Sequence, residues 1–269
     1  MQSSHDSGNT AAGANGPHDL VRHIDLLEWQ VLEGGRWARA FGPPEGTKHL
    51  TFYAGELGPG KSHTLDPGGS EAVGYLLGGR GKATIGGREF AIASGDGFHI
   101  RAGEACTLHV EGGVLLRILV VICPSVDKLP WSREFRGFAP PPKSFDGAYP
   151  ERVVSLNRAE KEISGDRWFR VLIGPKTGSE AVTQFVGSIP VSKAPEHYHH
   201  YEEVICVLSG EGRLWLGDQE TPVRSGSLIF LPREQPHCLE CTSMGGLELL
   251  GMFYPAGSPA VNYETGDSA

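Results

Sequence analysis

The sequence has no long uninterrupted apolar segment. Its longest apolar run, residues 114–123, contains Arg117 and is about half as long as a membrane-spanning helix. Residues 1–18 are mostly Ser, Gly, Asn and Ala, and they have neither the basic start nor the apolar centre of a signal peptide. We therefore expect residues 1–18 to form a disordered tail, and the protein to be cytoplasmic with no membrane partner.

Positive charge is also scarce. The chain has 24 Lys and Arg residues against 32 Asp and Glu residues, a net charge of −8. Nucleic acids and anionic lipid surfaces attract proteins with excess positive charge. The composition therefore argues against a nucleic-acid partner, and a small molecule is the expected ligand.

The five cysteines are odd in number and irregularly spaced, so the sequence gives no disulfide framework. Cys238 and Cys241 form a CxxC, but no helical pattern surrounds them. We interpret them as small buried apolar residues and not as a redox pair.

Helical periodicity is absent over long stretches. Short runs of Val, Ile, Leu and Phe are separated by turn sequences such as GG, GD and SG, about every eight to twelve residues. This texture predicts an all-β protein built from sandwiches or barrels.

The sequence is similar to itself at an offset of about 132 positions. Residues 35–60 align with residues 165–191, and residues 70–100 align with residues 202–230. In this alignment Glu71 falls on Glu203, Gly78 on Gly210 and Gly95 on Gly226. The self-similarity predicts a tandem duplication, with the following divisions: a tail at 1–18, a first unit at 19–130, a proline-rich connector at 131–150, a second unit at 151–260 and a tail at 261–269.

One short stretch of the second unit is rich in histidine and acid. On a strand, His197 and His199 leave the same face, Glu203 follows after a short turn, and His237 comes after a turn marked by prolines. Three imidazoles and one carboxylate that converge inside a barrel suit a divalent transition metal. A polar surface loop is the alternative. His200 and Glu202 alternate out of phase with this set, so we expect them to be solvated or to support the ligands from behind.

The segments HYHHYEEVICVLSG, from His197, and GSLIFLPREQPH, ending at His237, resemble the two motifs of the cupin family. The resemblance covers both units and implies a bicupin, a tandem duplication of a jelly-roll β-barrel. It also implies that His197, His199, Glu203 and His237 are the metal ligands. Two positions depart from the family pattern, with Glu234 in place of a glycine and Cys241 in place of an asparagine.

The first unit has lost this set. At the same offset Leu65 and Pro67 stand where the two spaced histidines would be, Cys106 stands in place of His237, and Glu71 alone remains. We therefore expect an N-terminal barrel without metal, with a structural role such as covering a sheet edge or forming an oligomer interface.

Such bicupins include dioxygenases, and we expect a mononuclear-metal dioxygenase with one iron per chain that acts on a small organic, for instance aromatic, substrate. A redox-neutral isomerase or an enzyme like the ureidoglycine aminohydrolases, using Mn, Ni or Zn, is an alternative. A non-catalytic ligand-binding protein is another. A homodimer is expected because dimers are frequent among such folds.

The candidate residues that would line the barrel are Gln184, Phe185, Tyr198, Tyr201, Arg213, Trp215, Phe230, Cys241, Met252 and Tyr254.

Overall fold

A computed structural model describes residues 16–32, 34–132, 148–261 and 263–264, and most of these residues lie in β-strands. The strands of the first half are β1 (Val21–His23), β2 (Gln30–Leu32), β3 (Gly35–Phe41), β4 (Thr51–Leu57), β5 (Gly60–Leu65), β6 (Glu71–Gly78), β7 (Arg80–Ile85), β8 (Arg88–Ala93), β9 (Asp96–Ile100), β10 (Cys106–Val110), β11 (Leu116–Cys123) and β12 (Trp131–Ser132).

The strands of the second half are β13 (Val153–Ser155), β14 (Glu162–Ser164), β15 (Arg167–Ile173), β16 (Thr183–Ile189), β17 (Ser192–Lys193), β18 (His197–Tyr198), β19 (Glu202–Ser209), β20 (Glu211–Leu216), β21 (Gln219–Arg224), β22 (Ser227–Leu231), β23 (Cys238–Cys241), β24 (Leu247–Tyr254) and β25 (Tyr263–Glu264). Within the described ranges the helical elements are short 3₁₀ turns at Ile24–Leu26, Pro43–Glu45 and Pro175–Thr177. None of the described helices is long and apolar enough to cross a membrane.

The strands form two barrels, each made of a seven-stranded sheet and a smaller sheet. In the first barrel the strand order is β13-β9-β6-β11-β4-β3-β2, opposed by β12-β5-β10-β7-β8. In the second barrel it is β1-β22-β19-β24-β16-β15-β14, opposed by β17-β23-β20-β21, and β25 pairs with β18 as a separate ribbon. The all-β, tandemly duplicated fold predicted from the sequence is confirmed.

The two seven-stranded sheets pack against each other through their outer faces. Phe41 of the first barrel contacts Phe230 of the second, with ring centroids 5.8 Å apart. Strands β6, β19 and β22 are buried along most or all of their length, because one face lines a barrel and the other faces the opposite sheet. The exposed strand β20 instead shows alternating burial over its first four residues.

The sheets do not follow the predicted unit boundaries. Strand β1, in the predicted first unit, pairs with β22 of the second barrel, and β13, in the predicted second unit, pairs with β9 of the first. Three-residue strands carry too little pattern for self-alignment to assign them to a sheet. Residues 131–132, at the start of the predicted connector, form β12 and pair with β5.

The predicted tails are also partly structured. His18 Nδ1 lies 3.1 Å from Thr221 Oγ1, and residues 263–264 pair with β18. Residues 1–15, 133–147 and 265–269 lie outside the described residues, so the disordered tails and the connector remain predictions there.

The strand register corrects one step of the self-alignment. Glu71 pairs with Cys123 at the end of β11, and Glu202 pairs with Tyr254 at the end of β24. Glu71 is therefore the counterpart of Glu202 and not of Glu203, since the loop before β6 is one residue longer than the loop before β19. A shift of one residue exchanges the two faces of a strand.

The same shift applies at the end of the strand. Gly79, which follows β6 with φ of 87°, is the counterpart of Gly210, which follows β19 with φ of 84°, so the alignment of Gly78 with Gly210 is also wrong.

At the histidines the comparison agrees with the structure. Leu65 pairs with Cys106 as His197 pairs with His237. The residue that follows Glu71, Ala72, takes the place of Glu203. The first barrel thus lacks even the carboxylate that the sequence comparison had left to it.

Candidate metal centre

A pair of backbone hydrogen bonds brings two distant parts of the second barrel together. His197 N donates to His237 O at 3.0 Å, and His237 N donates to His197 O at 2.8 Å. This bridge joins β18 to the start of β23 at one end of the barrel. It places the two imidazoles side by side.

Three imidazoles converge at this end. The ring centroids of His197 and His237 are 4.6 Å apart, and those of His199 and His237 are 4.8 Å apart. One ligand atom from each of the three rings lies within 4.8 Å of the others. Glu203, which is 3% exposed, brings Oε2 to 3.5 Å from His199 Nδ1. The structure thus brings the three predicted histidines together and places the fourth predicted residue, Glu203, beside His199.

The histidine rings are oriented from behind. His197 Nδ1 lies 3.1 Å from the carbonyl oxygen of Pro195, and His237 Nδ1 lies 2.9 Å from that of Gln235. A carbonyl oxygen only accepts, so Nδ1 carries the proton and the lone pair is left on Nε2. Backbone carbonyls hold metal-binding histidines in this way in many proteins. The donor set therefore fits a divalent transition metal.

Burial also sets the protonation of the site. Burial, reinforced by the neighbouring His197, lowers the pKa of His237 to about 4, so this ring is neutral at pH 7. Burial raises the pKa of the Glu203 carboxyl to about 8. A carboxylate here is costly without a nearby cation, which is the condition that a bound metal would relieve.

The histidines open on a cavity of about 120 Å³ inside the second barrel. A stack of rings forms one side, in which Tyr201 lies between His199 and Phe253 at centroid distances of 4.3 and 4.2 Å. Burial and the neighbouring Glu203 raise the pKa of Tyr201, so its hydroxyl stays protonated. The apolar walls include Phe169, Phe185, Ile205, Leu214, Ile229, Leu231, Leu239 and Leu249.

Phe185 and Tyr201 are the two candidates from the sequence that line this cavity. The other eight lie elsewhere, which corrects the expectation that they line the barrel. Gln184 and Phe230 alternate out of phase with the inward residues of their strands. As a result Gln184 Nε2 donates to Gly74 O of the first barrel at 3.1 Å, and Phe230 packs on Phe41.

Arg213 and Trp215 lie on the outer face of β20. Arg213 forms ion pairs with Glu220 and Glu240 at 3.5 and 3.7 Å. Trp215 Nε1 donates to Glu240 at 2.8 Å, and the Lys193 ammonium lies over the indole. Arg213 therefore gives no information about the charge of a substrate.

The remaining four candidates lie outside the lining for local reasons. Cys241 is buried in the core with Sγ 3.5 Å from Ser243 O. Met252 contacts Gln184 on the face toward the first barrel. Tyr254 stacks on His49, and Tyr198 packs against His200 outside the cavity.

Several lining residues were missed by the sequence reasoning. They include Ser164, Arg167 and Trp168 on β14 and β15, and Pro259 after β24. An Arg-Trp pair recurs in the two halves, as Arg36-Trp37 and Arg167-Trp168, and this repeat is the sequence signal that points to Arg167 and Trp168. Arg167 brings a cation to the lining, with its side chain 28% exposed.

Glu202 and His200 have different surroundings, and only His200 is solvent-exposed as expected. Glu202 is 2% exposed and accepts backbone hydrogen bonds from residues 48–50, so it is neither solvated nor behind the histidines. His200 is exposed, and its Nδ1 lies 3.3 Å from Glu234 Oε1. Glu234 adopts φ of 61°, so the turn keeps its left-handed form although a glutamate occupies it.

Comparisons with known proteins agree with this architecture. The family described as the cupin domain matches residues 187–253. No curated protein matches the chain.

Solved structures are similar along nearly the whole chain. A serine-to-alanine mutant of Bacillus subtilis oxalate decarboxylase OxdC is 14% identical, with 96% of this chain and 82% of that chain covered and a TM-score of 0.70. The formate complex of Lactobacillus farciminis oxalate decarboxylase is 16% identical, with 93% and 90% covered and a TM-score of 0.68. A B. subtilis oxalate decarboxylase structure from a study of its Mn(II) centres is 16% identical, with 96% and 82% covered and a TM-score of 0.71. At such identities the likeness shows the fold alone, a pair of barrels, and the family match places a cupin domain at residues 187–253 of the second barrel.

Proposed function

We propose that the protein is a mononuclear-metal oxygenase acting on a small organic molecule. The observation that carries the proposal is the convergence of three imidazoles, with the Glu203 carboxylate beside His199, on a largely apolar cavity. His197, His199, Glu203 and His237 would hold the metal. When bound, a divalent transition metal supplies open coordination positions where dioxygen and a substrate can be brought together.

The cavity walls limit what can react there. A volume of about 120 Å³ corresponds to roughly four water molecules in the liquid, each taking about 30 Å³. Phe185, Ile205 and Leu249 give the space beside the histidines an apolar lining. The reacting part of a substrate must therefore be compact, and it must tolerate an apolar environment.

The titratable groups in the cavity favour oxygen chemistry over proton transfer. Apart from the four candidate ligands, those among the described lining residues are Tyr201 and Arg167. Tyr201 keeps its proton because burial raises its pKa, and a guanidinium does not lose its proton in proteins. Isomerases and hydrolases usually need a general base near the substrate, and none of the described lining residues beyond the ligands provides one.

Arg167 favours a second candidate, a redox-neutral enzyme acting on a carboxylate. Its guanidinium could pair with an anionic group. The structurally similar proteins are described as oxalate decarboxylases, in one case with Mn(II) centres. A decarboxylation or another reaction of a small acid, with manganese in place of iron, is the corresponding proposal.

Metal analysis and oxygen uptake separate the candidates. We expect about one metal ion per chain in freshly purified protein by plasma mass spectrometry, and none in His237→Ala. His200→Ala is the matched control, because His200 lies outside the cavity, and it should keep the metal. Iron with oxygen consumption on small phenols or acids supports the oxygenase.

The other possible outcomes would support one of the alternative functions or contradict the metal site. Manganese with turnover under argon would support the redox-neutral enzyme. Bound metal without turnover of any screened acid or phenol would favour the third alternative, a non-catalytic binding protein. A wild-type protein that binds no metal even after reloading would contradict the site itself.

A further inference from the structure

A second opening, larger than the cavity at the histidines, lies beside the first barrel and also touches β20, β21 and β22 of the second barrel. This cleft, of about 1280 Å³, is bounded on one side by an aromatic group that we call the tryptophan wall, Trp37, Tyr53 and Trp131. The rings of Trp37 and Trp131 are 5.0 Å apart at an angle of 58°. Leu32 and Leu129 extend the apolar surface beside them.

The tryptophan wall occupies the place that corresponds to the metal cavity in the other barrel. Trp37 pairs with Gly55 as Phe169 pairs with Gly187. In the same way, Tyr53 occupies the position of Phe185 on the neighbouring strand. Phe169 and Phe185 both line the cavity of the second barrel. The first barrel has thus lost the metal-binding side chains while keeping aromatic rings at the same two positions.

The exchange also adds polar hydrogens, because each phenylalanine of the second barrel corresponds to a residue with a donor. Trp37 is 2% exposed, and its Nε1 has no hydrogen-bond partner. Gly55 makes room for this indole, since a methyl group there would lie 2.6 Å from Trp37 Cζ3. A buried N–H without an acceptor costs about 1–3 kcal/mol, so its retention needs a reason.

Tyr53 supplies a second donor. Burial raises the pKa of its hydroxyl to about 12, so the proton is held at neutral pH. The charged groups that act on this hydroxyl are Arg39, Glu45 and Asp127.

The charges near Tyr53 balance. Arg39 Nε lies 3.2 Å from Glu45, which also lies 3.8 Å from Arg22, and Arg39 Nη1 donates to Asp127 O at 3.3 Å. The two guanidinium groups thus share the Glu45 carboxylate, and the Asp127 carboxylate adds a second negative charge near Tyr53, so this end of the cleft selects for neither sign of charge.

From these features we propose that the first barrel binds a neutral aromatic molecule bearing a hydrogen-bond acceptor, with the ring against Trp131, the partly exposed member of the tryptophan wall, and the acceptor toward Trp37 Nε1 and the Tyr53 hydroxyl. Stacking on tryptophan favours a planar ring, and the two donors favour a carbonyl or ether oxygen. This site is separate from the histidine centre and does not rest on the proposed oxygenase function.

Two fluorinated probes test the site by fluorine NMR on the full chain. 4′-Fluoroacetophenone carries a ring and a carbonyl acceptor, whereas 4-fluorotoluene carries the ring alone. Trp37→Phe and Tyr53→Phe each remove one donor and keep a ring. Trp215→Phe is the matched control, because Trp215 lies on the outer face of the second barrel.

We expect the ketone to bind at one site and to lose about threefold to tenfold in affinity in Trp37→Phe and in Tyr53→Phe, as for one neutral hydrogen bond. Binding of 4-fluorotoluene should be weaker and equal in all variants, and Trp215→Phe should match the wild type. Circular dichroism checks folding. If Trp37→Phe does not fold, Tyr53→Phe carries the test because it is nearly isosteric.

The same titration in His237→Ala separates this site from the metal cavity. Unchanged ketone binding there supports the tryptophan wall as the site, whether or not the protein proves to be an oxygenase. Loss of binding in His237→Ala, equal ketone binding in all the aromatic variants, or no ketone binding up to its solubility would each overturn the proposal.

Discussion

Glu71 and Glu202 make the same contact in opposite directions across the two barrels. Glu202 accepts backbone N–H groups of residues 48–50 at 2.8, 3.0 and 2.9 Å. Glu71 accepts the Ser179 hydroxyl at 2.8 Å and the N–H groups of residues 180 and 181 at 3.1 and 3.2 Å. Each carboxylate is buried and caps a loop of the other barrel, so the pair fixes how the barrels sit together.

This contact predicts an acid-sensitive stability. Burial alone would raise the pKa of Glu71, but the hydrogen bond and charge of His99, with the donors of residues 179–180, lower it to about 2. Because the folded pKa lies below the ordinary value of 4.5, the stabilisation is present above pH 4.5 and is lost as the pH falls toward 2. Glu71→Gln should lower the free energy of unfolding at pH 7 by at most about 3 kcal/mol.

Urea unfolding at pH 7, 5 and 3 measures this effect. The difference between wild type and Glu71→Gln should be constant from pH 7 to 5 and fall by about half at pH 3. Glu89→Gln, in the exposed pair with Lys82, should show little change at any of these pH values. A difference that does not vary with pH would contradict the account of Glu71.

The second prediction concerns the independence of scaffold and site. His199→Ala should abolish metal binding and leave the barrel folded, because the hydrophobic core of this barrel is large and does not include the histidines. Plasma mass spectrometry gives the metal content, and circular dichroism with thermal melting gives the fold. Global unfolding of His199→Ala, with His200→Ala remaining folded, would show that the site is part of the scaffold.

A third prediction follows from the space at Gly251, on the strand facing the cavity. A methyl group there would collide with the Phe185 ring and lie 2.7 Å from Glu203 Oε1. We expect Gly251→Ala to lose about 1–3 kcal/mol of stability, the usual cost of overpacking, and to bind metal more weakly because Glu203 must move.

Gly257→Ala is the matched control for this change. The added methyl group would only touch Phe253 at 3.9 Å, so stability and metal content should stay near wild type. Calorimetric metal titration and urea unfolding of both variants provide the comparison. Normal metal affinity in Gly251→Ala would show that the Glu203 position does not matter for binding.

The fourth prediction concerns Glu234, which has a left-handed backbone. This conformation costs a residue with a side chain about 1–2 kcal/mol, and glycine avoids that cost while making the unfolded chain more flexible. Glu234→Gly should therefore stabilise the protein by up to about 1 kcal/mol, as read by thermal melting. Arg233→Gly, one residue earlier and not left-handed, should destabilise it; equal losses in both variants would refute this explanation.

Most of what could be predicted about the site came from the two motifs. The motifs correctly predicted that the rings of His197, His199 and His237 lie together. The backbone bridge that joins these segments is formed by His197 and His237, which are themselves motif residues. The cavity lining was harder to predict, because it depends on strand phase. Gln184 precedes Phe185 by one residue and faces the other barrel, and no composition rule distinguishes the inner from the outer face of a strand buried on both sides.

The register and pairing of distant strands could not be predicted from the sequence for a different reason. The Glu71 comparison failed because a loop differs by one residue, which self-similarity does not resolve without strand pairing. The pairing of β1 and β13 with the sheet of the other unit was not predictable, because three residues are too few for a pattern. The homodimer and the cytoplasmic location remain predictions.

The reciprocal pairing of β1 and β13 also bears on how such a chain could arise. If two copies of a single-barrel ancestor exchanged their first strands, they would form a dimer with this same strand arrangement. Each copy would then complete the sheet of the other. Joining the genes of that dimer end to end would preserve every contact while freeing the copies to diverge. One copy could then keep the histidines and the other replace them, without either losing the strand that its neighbour supplies.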